Sequence, residues 1–177
     1  TRGEYARMNI PTARSCPNAE LGYRIDGIAP SPDTRIVINC AGRTRSIIGA
    51  QTLINLGVPN PVMALRNGTQ GWQLAGLTLE NGSVPEEISN LGDEDLARVR
   101  ARAKRFAEEN DVPRIGIATL AEWQGDAGRS LYLFDVRTEA EFLAGHLVGA
   151  RHAPGGQLVQ ATDHWVATRH ARIVLTC

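Results

Sequence analysis

The chain has 177 residues, and its nineteen Lys and Arg balance nineteen Asp and Glu, so no net charge recommends it to nucleic acid or to an anionic membrane. Its 42% hydrophobic content suits a globular protein of one domain or parts of two, and no apolar run reaches the roughly 18 residues a membrane helix needs. Three cysteines without paired spacing, Cys16, Cys40 and Cys177, exclude a disulfide framework or zinc cluster and fit a reducing cytoplasm.

The opening Thr1-Arg2-Gly3-Glu4-Tyr5 carries neither an initiator methionine nor a signal h-region, and is read as the start of a soluble piece of a longer protein. Apolar spacing predicts a short helix over residues 2–8, a loop through Pro11 and Pro17, and a helix over 20–28. The run Arg35-Ile36-Val37-Ile38-Asn39 predicts a buried strand that delivers Cys40 into the loop Cys40-Ala41-Gly42-Arg43-Thr44-Arg45-Ser46. A helix over 46–56 follows, with Ser46 as its expected cap. Next come a strand over 62–65 and a turn at Asn67-Gly68, with Gly71-Trp72 behind it. Strands alternating with helices imply a parallel sheet, with the site at the carboxyl ends of its strands, where Cys40 lies.

Cysteine in that loop is a chemical statement. The amides that open the following helix point at negative charge, and Arg43 and Arg45 add two guanidiniums, so the thiol is expected to ionise below the ordinary value of about 8.5. A free cysteine is more often a small buried hydrophobe. A structural cysteine, however, gains nothing from an Ala-Gly-Arg-Thr-Arg sequel.

Residues 93–109 read as a charged helix whose apolar edge, Leu96, Val99, Ala103 and Phe106, can lie against a domain. Its basic run is read as a solvated linker face, since its charges nearly cancel and no aromatic platform accompanies them. A second unit begins near Ile115, with a strand over 131–134 followed by Asp135-Val136-Arg137. His146, His152, His164 and His170 lack metal-site spacing, so no metal is expected. Nor does any glycine-rich phosphate loop imply a nucleotide cofactor. Trp72, Trp123 and Trp165 are assigned to packing.

Residues 1–40 align without a gap on residues 138–177, at an offset of 137, with eleven identities. They include Glu4 with Glu141, Ala13 with Ala150, Pro17 with Pro154, Leu21 with Leu158, the Arg35-Ile36-Val37 triplet with Arg172-Ile173-Val174, and Cys40 with Cys177. The chain therefore reads as the body of one unit and the front of a second.

These residues are similar to a known family. Asp135-Val136-Arg137, Glu141-Phe142, Gly145-His146-Leu147 and Gly149-Ala150, with Pro154 and Leu158, resemble the first half of a rhodanese domain. Ile36-Val37-Ile38-Asn39-Cys40 with its loop, then Leu65-Arg66-Asn67-Gly68 and Gly71-Trp72, resemble the second half. The resemblance implies an α/β, rhodanese-like fold, a parallel sheet with helices on both faces. Residues 1–76 would be a rhodanese domain without its leading strand and 77–114 a linker with the charged helix. Residues 115–177 would be the first half of a second domain, cut at its loop cysteine.

The resemblance also implies thiosulfate sulfurtransferase chemistry. Cys40 would carry a sulfane sulfur as a persulfide, taken from a thiosulfate-like anionic donor and passed to cyanide or a thiol. Ala41, Gly42, Arg43, Thr44 and Arg45 would cradle the substrate, and no cofactor, metal, nucleic acid or membrane partner is implied. The chain departs from the family pattern in three places. Arg43 stands where many members have glycine, Met8-Asn9 stands where the second unit has Gly145-His146, and Thr12 replaces Gly149. Because the first unit lacks its leading strand, either residues 131–136 complete its sheet, within one chain or by exchange in a domain-swapped homo-oligomer, or the missing strand belongs to a part of the protein outside these 177 residues.

Two rivals remain. A non-catalytic rhodanese module would bind or regulate, but such modules usually lack the cysteine. A cysteine-loop phosphatase spaces cysteine and arginine by five residues, whereas four separate Cys40 from Arg45. Cys16, which aligns with Ala153, is a candidate resolving thiol.

Overall fold

The structure is a computed structural model that describes residues 2–87 and 91–177. Two units follow one another, Thr1–Asp111 and Val112–Cys177. As the pattern implies, both are built from helices and parallel strands.

The first unit runs α1 (Arg2–Arg7), α2 (Asn18–Ile28), β1 (Ile36–Ile38), α3 (Thr44–Asn55), β2 (Val62–Ala64), α4 (Gly68–Leu74) and α5 (Asp93–Glu109). β1 and β2 pair in parallel, Ile36 against Val62 and Ile38 against Ala64. Strand alternation turns Ile36 and Ile38 onto α2 and α3. There they join Leu21, Ile25, Ala50 and the fully buried Leu53 in one core. The helices approach closely at Gly49, where a β-carbon would lie 2.7 Å from Asn18 Oδ1 and 2.9 Å from Leu21 Cδ1. The opposite side chain of β1, Val37, is half exposed.

α5 lies along this unit. Its Arg102 donates to Asp26 of α2 at 2.7 Å, and Arg105 donates to the Leu56 carbonyl at 2.9 Å. Leu96, Val99 and Phe106 are half-buried, whereas Ala103 is exposed.

The second unit runs α6 (Ile117–Gly125), β3 (Leu131–Asp135), α7 (Glu139–Ala144), β4 (Arg151–His152), α8 (Gly155–Gln160), α9 (Thr162–Trp165) and β5 (Arg172–Thr176). Its sheet has the order β4-β3-β5, all parallel. Phe134, Ala153 and Leu158 form its core, and Trp165 meets the Phe134 ring edge-on at 6.1 Å. Both edges of β3 are therefore occupied by strands of its own unit. The expectation that residues 131–136 complete the first unit's sheet within the chain is corrected, because the nearer strands β4 and β5 satisfy the β3 backbone at a smaller loop-closure cost.

At the offset of 137 several elements coincide, though β4 has no counterpart strand at residues 14–15. α1 maps onto α7 residue for residue, β1 falls inside the image of β5, and α2 corresponds to α8 with α9. Even a strained position repeats: Gly149 has φ +83°, and its counterpart Thr12 has φ +65°. A β-branched residue is disfavoured there by about 1–2 kcal/mol. Thr12→Gly, offset by the greater chain entropy of glycine, is expected to stabilise the first unit by about 0.5–1 kcal/mol. Urea unfolding would show it, and an unchanged or lower stability would count against strain at Thr12.

Candidate active site

β1 ends two residues before Cys40, and the loop turns at once into α3, whose first residue is Thr44. Three contacts fix the loop from behind. Thr69 N–H donates to the Cys40 carbonyl at 2.9 Å, Gln70 N–H to the Ala41 carbonyl at 3.1 Å, and Thr69 Oγ1 to the same Ala41 oxygen at 3.4 Å. With those carbonyls held by the first turn of α4, loop amides are left to face the sulfur. Asn67 and Gly68 make the approach possible with φ of +60° and +56°, and a β-carbon on Gly68 would stand 2.0 Å from the Cys40 carbonyl oxygen.

Cys40 is half-buried, and its sulfur has a side-chain hydrogen-bond partner in Ser46 Oγ at 3.6 Å. Burial raises its pKa, yet the Ser46 hydroxyl, the Ser46 and Gly42 amides and the charge of Arg45 together outweigh burial and hold the thiol below its ordinary value. A thiolate is the nucleophilic form of cysteine. Cys16 is the opposite case: burial, reinforced by Glu20, pushes it up to about 11, so it stays a thiol at neutral pH and is a poor resolving partner.

The expected cradle residues do different things. Gly42 lends its amide. Ala41, Arg43 and Thr44 are exposed, with Arg43 preceding α3 and its carbonyl accepting from Ser46 Oγ at 2.8 Å and from Ile47 N–H at 3.2 Å. Arg45 forms a two-pronged pair with Glu4, at 2.9 and 2.8 Å. It still lowers the thiol, although its charge is shared. Arg45→Ala is accordingly expected to raise the Cys40 midpoint by a few tenths of a pH unit, the scale of a half-exposed charge. Thiolate absorbance against pH would report it, and an unmoved midpoint would remove Arg45 from the site.

Pattern reasoning missed three contributors. Ser46 is not the helix cap, because α3 begins two residues earlier and carries the Ser46 side chain inward, 1% exposed, beneath the sulfur. Glu4 is the repeat partner of Glu141, which closes a capping box with Thr138; nothing in its spacing signals a pair 41 residues away. The Asn67-Gly68 turn is legible as a turn, but its use as a clamp on the loop is not.

The second unit orders its own first half by charge. Arg137 grips the buried Asp135 through its Nε at 3.0 Å and Nη2 at 2.6 Å, and Nη2 also donates to the Gly145 carbonyl at 2.6 Å. This guanidinium holds the Asp135 carboxyl below the usual range. His152 Nε2 lies 3.0 Å from the Arg137 carbonyl, and the Phe142 ring stacks on His146 and His152. β5 leads to the exposed Cys177 as β1 leads to Cys40.

The Rhodanese-like domain family matches residues 1–75 and 117–177. No curated protein matches. A crystal structure of a thiosulfate sulfurtransferase from Pseudomonas aeruginosa is 50% identical, with a TM-score of 0.92 over 99% of this chain, and the chain spans 33% of that protein. Among the described residues, no group of three or more His, Cys, Asp or Glu could hold a metal ion, and no helix is long and apolar enough to cross a membrane.

Proposed function

Because the chain belongs to the rhodanese-like domain family, we propose that it is a sulfurtransferase in which Cys40 carries a sulfane sulfur from a thiosulfate-like donor to cyanide or a thiol. The observation that supports this most directly is the half-buried Cys40 sulfur facing the Gly42 and Ser46 amides and the Ser46 hydroxyl, with its thiol held below the ordinary value.

The Cys40 thiolate attacks the outer sulfur of thiosulfate. A new S–S bond forms, the old one breaks with its electron pair leaving on sulfite, and Cys40 becomes a persulfide anion. Cyanide, or a second thiolate, then attacks the outer sulfur and departs with it, returning the thiolate. Neither step needs an external oxidant or a proton source. Main-chain amides already aimed at the sulfur stabilise the anion without reorganising, while the exposed Arg43 supplies attraction for a dianion. Three free cysteines support a reducing compartment such as the cytoplasm.

Incubation with thiosulfate should add the mass of one sulfur atom to the Cys40 peptide, and cyanide should remove it as thiocyanate. Absence of the adduct, or its appearance on Cys16 or Cys177 instead, would sink the reading.

A further inference from the structure

The Ser46 hydroxyl has one proton and two acceptors within reach. Its Oγ donates to the Arg43 carbonyl at 2.8 Å and lies 3.6 Å from Cys40 Sγ. The side chain is 1% exposed, so water is a poor substitute for either. The Arg43 carbonyl also receives the Ile47 amide at 3.2 Å. It therefore keeps a donor if the hydroxyl turns away.

We propose that Ser46 is a two-position donor: its O–H serves the Arg43 carbonyl while Cys40 is a thiol or a persulfide, and swings onto the sulfur when Cys40 is a bare thiolate. The inference rests on the reading of Cys40 as the sulfur carrier. In the thiol state the S–H donates to Oγ and the Ser46 proton stays on Arg43. Loss of the thiol proton leaves an anion beside the hydroxyl, and hydrogen bonds to an ionised acceptor are about twice as strong as neutral ones. The second amide on Arg43 makes the swing inexpensive. When a sulfane sulfur is bound, the charge moves to the outer atom, about 2 Å farther out. The inner sulfur is then a weak acceptor, and the hydroxyl returns.

Ser46 thus favours the empty anion over both other states. It eases loss of the thiol proton, and it lightens the hold on a bound sulfur when an acceptor arrives. The charged side chain that acts on the sulfur is Arg45 of α3, bound to Glu4 of α1; α4 contributes no ionisable side chain. The hydrogen bond from Arg45 to Glu4 raises the Arg45 pKa further, so this guanidinium does not exchange a proton near neutral pH. A shift in the Cys40 profile on altering Ser46 therefore belongs to the hydroxyl.

The test is Ser46→Ala with Ser46→Thr as rescue. One measurement is the rate of iodoacetamide alkylation of the Cys40 peptide against pH. The other is the loaded fraction of Cys40 at a fixed ratio of thiosulfate to sulfite. Loss of the hydroxyl should lower the ionisation constant about tenfold, moving the alkylation midpoint up by about one pH unit. Above that midpoint it should raise the loading equilibrium by a similar factor, while Ser46→Thr stays close to the parent in both. A Ser46→Ala midpoint equal to the parent's, or a Ser46→Thr shift as large as that of alanine, overturns the proposal. Should Ser46→Ala fail to fold, the Ile47 amide resonance of the unaltered chain decides: it should follow the Cys40 titration, and an amide that does not move overturns the proposal. If Cys40 accepts no sulfur at all, the carrier reading falls, while the alkylation arm still reports on Ser46.

Discussion

Cys40→Ser should form thiocyanate from thiosulfate and cyanide at least about three orders of magnitude more slowly than the parent chain, as expected when a covalent nucleophile is removed. Serine is nearly the same size, and the site is only half-buried, so the fold should survive and the loss should be chemical. An alcohol is not an anion at neutral pH, even with two amides and Arg45 around it, and cannot attack a sulfane sulfur. The same variant separates the rivals. Equal thiocyanate formation by parent and variant would favour a binding or regulatory module. Phosphate-ester hydrolysis that disappears with Cys40 would favour a phosphatase.

Gly68→Ala should be nearly as damaging, by a different route. Its φ of +56° penalises any side chain, and its β-carbon would stand 2.0 Å from the Cys40 carbonyl oxygen and 2.8 Å from that of Gly42. Both obstacles are backbone atoms, so no rotamer change relieves them. The expected cost is on the order of 3 kcal/mol, the sum of left-handed strain and a forced shift. Once the loop moves, the Thr69 amide loses its hold on the Cys40 carbonyl, the facing amides lose their aim, and the alkylation midpoint should drift towards that of an ordinary thiol. Gly76→Ala is the control: it has φ +78° but nothing within 4 Å, so it should cost about 1 kcal/mol and leave the midpoint in place. Equal behaviour of the two variants in urea unfolding and alkylation would refute the clamp.

What the sequence discloses here is whatever is local or repeated. The apolar run before Cys40 forms β1, the run before Asp135 forms β3, and the 137-residue offset returns even the left-handed corner at Thr12 and Gly149. The cationic loop at a helix start is legible because its neighbours in sequence are its neighbours in space. What stays hidden depends on side-chain direction or distant contact. Whether Ser46 caps α3 or faces the sulfur turns on a two-residue difference in where the helix begins. The Glu4–Arg45 pair joins residues with no periodic relation. Residues 131–136 look like a strand in need of a partner, but which partners they take is settled by β4 and β5, which occupy its two opposite edges.

The attachment of α5 bears on where this protein should be cut. Asp26 is largely buried, and one of its carboxylate oxygens is bonded to Arg102. A fragment trimmed at residue 76 would keep the acid, discard its counter-ion and strip α5 from the face of α2 on which it packs. Trimming after Asp111 retains both partners, so any dissection of the first unit for expression should carry the charged helix with it.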